Sequence, residues 1–270
     1  MKISLGPSGS PKPSTLEGLG EVKRLGLQSM EPSFTHGVRM GLDTAKQIGE
    51  ANKTAGLKLS IHAPYYINLC SEDERKRQES MQRILDTCER AHHIGAGKVI
   101  FHPAYYGKTE KKEIFEIVKD SIEKMHDVIR KNKWRVELAP ETTCRFSQFG
   151  TLDEVMELSR KTGCSFCIDI AHIYARNLGH IDYKEVFDML EGAKQRELHF
   201  HFEGIETNKG GEGRHVPITG NKPDFKEFAT ELLRRNIDAN IISESPMTWR
   251  DSLVMKKILE KLGYFQERKI

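Results

Sequence analysis

The sequence predicts a single (β/α)8 barrel, the TIM-barrel class of α/β fold, and three observations carry the prediction. Short β-branched or apolar runs alternate with amphipathic stretches along 270 residues. The repeat is about 30 residues per strand–helix unit, and the total is close to the roughly 250 residues such a barrel typically needs. No low-complexity linker divides the chain, so residues 1–270 read as one domain. The strand-like runs also end repeatedly on histidine or a carboxylate, as expected where C-terminal strand ends gather on one rim. An open doubly wound sheet would show a glycine-rich phosphate turn after an early strand. "LGPSGSP" is too short and too proline-rich for that turn.

In chain order the strands are expected at residues 2–5, 28–31, 57–62, 98–102, 135–138, 165–169, 197–202 and 240–244, all short runs of β-branched or apolar character. The helices are expected at 15–25, 43–53, 73–93, 112–131, 152–161, 183–194, 224–235 and 252–262. In the third of these, Leu85, Cys88, Ala91 and His92 keep the three-four spacing of an amphipathic face.

Composition narrows the class. Hydrophobic residues make up 37% and charged residues 30%, a globular protein with enough apolar side chains for a sizeable core. A formal charge of +3 does not announce a nucleic-acid binder, so any such surface has to be local. The basic pairs Lys111-Lys112 and Arg234-Arg235 sit in helical patterns and read as solvated faces. Five cysteines are an odd number and not a disulfide framework. Cys164 and Cys167 have redox or zinc-ligand spacing, but they lie in a strand pattern without a second pair and read as core thiols. "MKISLGPSGSP" has no signal-peptide apolar region, and no apolar run approaches membrane-spanning length. A cytoplasmic protein is expected.

The chemistry lies at the strand ends. Strand three finishes in His62, strand four in His102, and strand five leads into Glu141. Strand six gives Asp169 and, three residues on, His172. Strand seven gives His199 and His201, strand eight gives Glu244, and His215 follows in the loop after strand seven. In a barrel these residues converge on one rim. So many imidazoles and carboxylates cannot all be satisfied by ordinary hydrogen bonds, and buried carboxylates need cations. Imidazole with carboxylate suits zinc first, with manganese or iron possible. Asp169 and His172 then read as two ligands from one strand end, spaced to reach different metals. His92, His93 and His126 fall on helices and His180 in a loop, where a structural role is the simpler reading, and His36 stays open. Glu141, Asp169, His201 and Glu244 alone would suit a single-metal sugar isomerase or epimerase. His62, His102, His172 and His215 exceed that need and argue for two or three clustered metals, an arrangement for phosphoryl-ester hydrolysis.

The stretches "SIHAPYYINL", "FHPAYY", "PETT…SQFG", "FCIDIAHIYA", "HFEG" and "SESP", in this order, resemble endonuclease IV, the zinc-dependent abasic-site endonuclease family. The resemblance runs from about Leu57 to Pro246, with weaker support from "GPSGSP". It implies that His62 and His102 hold a first zinc and that Glu141 bridges to a second. Asp169, His201 and Glu244 complete that second position, while His172 and His215 belong to a third. It further implies two or three zinc ions, with manganese possible. The implied partner is duplex DNA containing abasic sites, nicked on the 5′ side by a monomeric base-excision-repair enzyme through a metal-bridging hydroxide, with Glu141, Asp169 and His172 as the catalytic residues. By the same resemblance Tyr65 and Tyr66 occupy the place where side chains enter the minor groove, and Arg39 matches the residue that enters the base stack. Such wedges serve where a nucleotide is flipped out.

The sequence also departs from that pattern. Where the family has Asp two residues before the histidine matching His215, this chain has Gly213. A third metal then borrows Glu212, Glu203 or Glu206, is weaker, or is missing. Ile170 follows Asp169 where a small hydroxyl residue is usual, and Phe202-Glu203 stands where the family has Asn-Asp. His199 and His201, two apart on one strand, point to the same side, so either could be the ligand. The place of His201 in the motif favours His201.

Overall fold

A computed structural model describes residues 1–264 other than 194, 209 and 212. Eight strands form the barrel wall: β1 (Ile3–Pro7), β2 (Ser29–Met30), β3 (Lys58–His62), β4 (Lys98–Phe101), β5 (Glu137–Pro140), β6 (Cys167–Asp169), β7 (Leu198–Phe202) and β8 (Ala239–Ser243). Parallel pairing runs β2-β3-β4-β5 in one arc and β1-β8-β7-β6 in the other. Two parallel bridges, Ser8 with Glu31 and Glu141 with Cys167, join the arcs and close the barrel. At the first seam Gln28 N–H donates to Leu5 O (2.9 Å) and Glu31 N–H to Pro7 O (3.0 Å). Gly6 permits that approach, because a Cβ there would fall 1.9 Å from Ser29 O.

The outer ring is α1 (Thr15–Arg24), α2 (Leu42–Ala55), α3 (Glu74–Ile94), α4 (Lys111–Lys131) and α5 (Leu152–Thr162), with α6 (Ile170–Arg176) intervening before α7 (Tyr183–Leu190), α8 (Phe225–Arg235) and α9 (Trp249–Lys261). Side-chain caps set the starts of six of these described helices, and α2, α4 and α9 begin without one. Ser14 with Glu17 and Thr151 with Glu154 form capping boxes, and Asp73, Asp182 and Asp224 accept from backbone N–H groups of the first turn. None of the described helices is long and apolar enough to cross a membrane.

The TIM-barrel expectation holds, with local shifts. Strand five lies at Glu137–Pro140 rather than 135–138, and the last helix begins at Trp249. The helix expected at 183–194 stops at Leu190, and residue 194 lies outside the described residues. A short helix, α6, occupies what looked like the apolar tail of strand six. It forms there because Asp169 Oδ1 accepts the His172 N–H at 2.7 Å and caps it. Cys70, Cys88, Cys164 and Cys167 are free thiols.

Strand β7 shows how the wall divides two environments. Its even-numbered Phe200 and Phe202 pack outward with Phe225 and Phe228 of α8 and Phe187 of α7, with ring centroids 4.9 Å apart for Phe202–Phe225 and 5.2 Å for Phe200–Phe228. Its odd-numbered His199 and His201 meet polar groups inside the barrel. Phe228 is fully buried at the centre of the aromatic cluster. Phe228→Ala is expected to lower unfolding free energy by about 3–5 kcal/mol through lost packing and a residual cavity. Urea titration of the metal-free protein measures this; a loss below about 1 kcal/mol would contradict the packing role.

Candidate metal centre

The rim residues meet around one carboxylate. Glu141, fully buried where β5 ends, faces imidazoles from three barrel segments and from α6. One oxygen lies 3.1 Å from His62 Nε2 and 3.1 Å from His102 Nε2. The other lies 3.0 Å from His201 Nδ1 and 3.5 Å from His172 Nδ1. Glu141 therefore divides the histidines into two sets and touches both. His62 on β3 also directs Nδ1 to Ala63 O at 2.7 Å, which leaves Nε2 for the site. His172 directs Nδ1 to Thr142 O at 2.9 Å, which fixes its ring in the same manner.

Asp169 and His201 are register partners on β6 and β7, so they stand side by side. With Oδ1 engaged as the cap of α6, Asp169 Oδ2 is buried without a hydrogen-bond partner and lies 3.4 Å from His172 Nδ1. His172 thus does not rise from the strand end itself, as expected from sequence, but from the first turn of the helix that Asp169 starts. Glu244, just beyond β8, brings Oε1 to 3.7 Å from His201 Nδ1 and accepts a hydrogen bond from Ser8 Oγ at 3.4 Å. The imidazoles of His62, His102, His172 and His215 follow one another round the rim at centroid spacings of 5.5, 5.5 and 5.9 Å.

Among the described residues, three groupings at this rim bring ligand atoms within 4.8 Å of one another: His62, His102 and Glu141; Glu141, Asp169, His201 and Glu244; and His172, Glu203 and His215. Cys167, His199 and His201 form a fourth, deeper grouping. Burial pushes the Cys167 thiol well above its ordinary pKa, so it stays neutral. His199 is engaged below the rim, with Nε2 3.0 Å from Glu31 and Nδ1 3.2 Å from Asn240 Nδ2. The choice between His199 and His201 falls to His201, which alone of the two reaches Glu141 and Glu244.

Two acidic residues extend the set. Glu31, at the end of β2, is fully buried. It accepts from Ser60 Oγ at 2.5 Å, and its Oε1 lies 2.9 Å from His201 Nε2 in a charge contact whose N–H is not aligned for a hydrogen bond. The signal for it was present in the sequence, because "SME" ends strand two on an ionisable residue, as the later strands end on or lead into histidine or a carboxylate. Glu203 is two residues beyond His201, the same alternation that orients His201 itself. Glu206 is exposed and paired with Arg214, and Glu212 lies outside the described residues. Of the residues matched to DNA wedging, Tyr65 is 52% exposed with its ring 5.7 Å from His62, and Tyr66 is 62% exposed. Arg39 is exposed in the segment between β2 and α2.

The electrostatics call for cations. Burial opposes charge at His62, but Glu141, Glu244 and Glu31 outweigh it and raise its pKa to about 9. Burial, with Glu141 and Glu244 adding repulsion, raises Asp169 to about 7, and burial with Asp169 and Glu244 pushes Glu203 well above the carboxylate range. Burial, reinforced by His102 and His215, lowers His172 to about 4. Carboxylates forced toward neutrality at Asp169 and Glu203, with orphaned oxygens on both, together with histidine ring nitrogens facing the same space, are a donor set that fits divalent ions such as zinc.

An eight-stranded barrel with a candidate metal-binding donor set at its C-terminal rim has the layout of an enzyme barrel. A family model described as xylose isomerase-like TIM barrel matches residues 19–263, and the chain belongs to that family. A relative from Methanocaldococcus jannaschii, named uncharacterized protein MJ0133, is 34% identical over 249 residues, 89% of this chain and 90% of that one. A probable endonuclease 4 from Mycobacterium leprae is 25% identical over 187 residues, 67% of this chain and 71% of that one. Endonuclease IV from Thermus thermophilus shares the fold with a TM-score of 0.75 at 20% identity, over 97% of this chain and 100% of that chain. A D-tagatose 3-epimerase-like protein shares it with a TM-score of 0.73 at 18% identity, over 97% of this chain and 96% of that one. The resemblance to endonuclease IV read from the sequence is thus supported at family level, within a fold that epimerases also use.

Metal ligation requires deprotonated ligands, so if His62 and Asp169 ligate zinc, its uptake displaces the protons they hold in the ion-free protein. Calorimetric zinc titration in buffers of different ionisation enthalpy is expected to show proton release near neutral pH that shrinks steadily from about pH 6.5 to about pH 9. Proton release that does not change over this range would show that these two groups are not ligands.

Proposed function

We propose that this chain is a zinc-dependent phosphodiester hydrolase that incises duplex DNA 5′ to abasic sites. The observation that carries the reading is the position of Glu141, one oxygen facing His62 and His102 and the other facing His201. A carboxylate with ligand groups at both of its oxygens would serve two ions at once, and paired ions would supply the charge that phosphoryl-ester hydrolysis needs. His62, His102 and Glu141 would hold one ion; Glu141, Asp169, His201 and Glu244 a second. His172 and His215 would contribute to a third. Bound there, the ions supply Lewis-acid charge to a phosphoryl group and its leaving oxygen.

The chain's own residues supply the rest. Ala63 O and Thr142 O fix the His62 and His172 rings, so the metal-facing nitrogens are preset before substrate arrives. Thr142 Oγ1 accepts the Asp169 N–H at 2.8 Å and holds the strand end from which that carboxylate projects. Tyr65 and Tyr66 stand exposed at the rim above His62, where aromatic faces can enter the gap left by a missing base. An abasic nucleotide is the least costly to extrude because it has no base to unstack. Arg39 is assigned to the same stack-entering role. The enzyme is proposed to act as a monomer in the cytoplasm.

Strand scission of a duplex carrying one stable abasic-site analogue, with protein loaded with zinc and then with manganese, tests the reading. The expected result is one nick on the 5′ side, leaving a 3′-hydroxyl, and a loss of at least about 100-fold in rate for Glu141→Gln. No nick with either metal would overturn it. The four-residue set of Glu141, Asp169, His201 and Glu244 supports a single-metal sugar epimerase as the second reading. Full activity on a sugar in His62→Ala and His102→Ala would establish that alternative.

A further inference from the structure

The carboxylate that the sequence lacks at Gly213 has a structural replacement. Gly213 cannot be a side-chain position here: a Cβ on it would fall 1.0 Å from Glu206 O, because this part of the loop runs backbone against backbone. Glu206 N–H donates to Arg214 O at 2.9 Å, and the Glu206 side chain turns to solvent to pair with Arg214. The neighbouring histidines have nevertheless kept a site. His172 commits Nδ1 to Thr142 O, and His215 Nδ1 lies 3.3 Å from Glu244 O, so each ring keeps Nε2 for another partner. Between them lies Glu203, 0% exposed, with neither oxygen hydrogen-bonded. Its nearest ion-pair contact is His215 Nε2, 3.7 Å from Oε1. A fully buried carboxylate with idle oxygens is a group waiting for a cation rather than a group packed for stability.

We infer that Glu203, delivered by the end of β7 instead of by the 206–214 loop, is the carboxylate of a third cation position completed by His172 and His215. The inference rests on the metal-binding part of the reading above and not on its DNA substrate. Moving the ligand from loop to strand changes the character of the site. Glu203 follows His201 at the two-residue spacing of one strand, so the second and third positions share a rigid element, and of the third position's groups only His215 still comes from beyond that loop.

Metal content decides it without reference to activity. Protein saturated with zinc alone, freed of excess by gel filtration and measured by elemental mass spectrometry, is expected to hold three ions per chain. Glu203→Gln should hold two, and Glu206→Gln should hold three. The thermal response should reverse sign with loading. Without metal, Glu203→Gln removes an uncompensated buried acid and raises Tm; the rise in Tm on adding zinc is then smaller than in the parent. Should Glu203→Gln fail to fold, His215→Ala, whose side chain is one-third exposed, is the second variant and should also hold two. Three ions in Glu203→Gln, loss of an ion in Glu206→Gln, or only two in the parent would overturn the inference. Three ions without nicking of an abasic duplex would uphold it while removing the nuclease reading.

Discussion

The buried Glu141 carboxylate, met by imidazoles from β3, from the end of β4, from α6 and from β7, is the interaction on which the rest of the site depends. Burial alone would drive this group to accept a proton. It is instead held well below the carboxylate range because His201 and His102 lie against it. The same histidines that balance its charge in the ion-free protein are the ones placed to ligate ions. Under the proposed function the same side chains would serve as ligands once ions are bound. Removing any one of them leaves part of a buried charge unanswered.

Asp169 solves a related problem with its two oxygens. Oδ1 starts α6 by accepting the His172 N–H, while Oδ2 stays unpartnered in the site. A single carboxylate thus builds the turn that carries one histidine and faces the group that turn delivers. Thr142 secures both pieces, through its Oγ1 to the Asp169 backbone and its carbonyl to His172. The backbone of the β5 end and the side chains of the β6 end are one unit.

Much of this was legible before any coordinates. Strand ends carrying His62, His102, Glu141, Asp169, His201 and Glu244 could be found because a barrel brings equivalent ends together, whatever their separation along the chain. Period-two alternation placed His201 and His199 on one side. It could not separate them, because what distinguishes them is depth: His199 sits beside Glu31 and Asn240, and His201 one step higher beside Glu141. The helix α6 goes beyond the pattern read for strand six at 165–169, because "IAHIYA" is apolar without a clear period and the capping bond from Asp169 starts the helix. Glu31 fits the strand-end pattern, but it follows a strand of only two residues, Ser29–Met30, and carries no motif of its own. The role of Glu203 was not decidable from sequence. The closeness of Gly213 to the Glu206 carbonyl is a fact of loop packing that no spacing encodes.

Strand β7 carries one further consequence. Inside the barrel it presents His199, His201 and Glu203; outside it presents Phe200 and Phe202, packed on α7 and α8. A slip of one residue against β6 or β8 would drive two phenylalanines into a polar interior and three ionisable groups into an apolar shell. The alignment of this strand is therefore specified twice over, by greasy rings on one surface and by charge on the other. The two specifications agree only in the native pairing. Phe200 and Phe202 on one face and His201 on the other thus tie the proposed metal chemistry and the pairing of this strand to one short stretch of sequence.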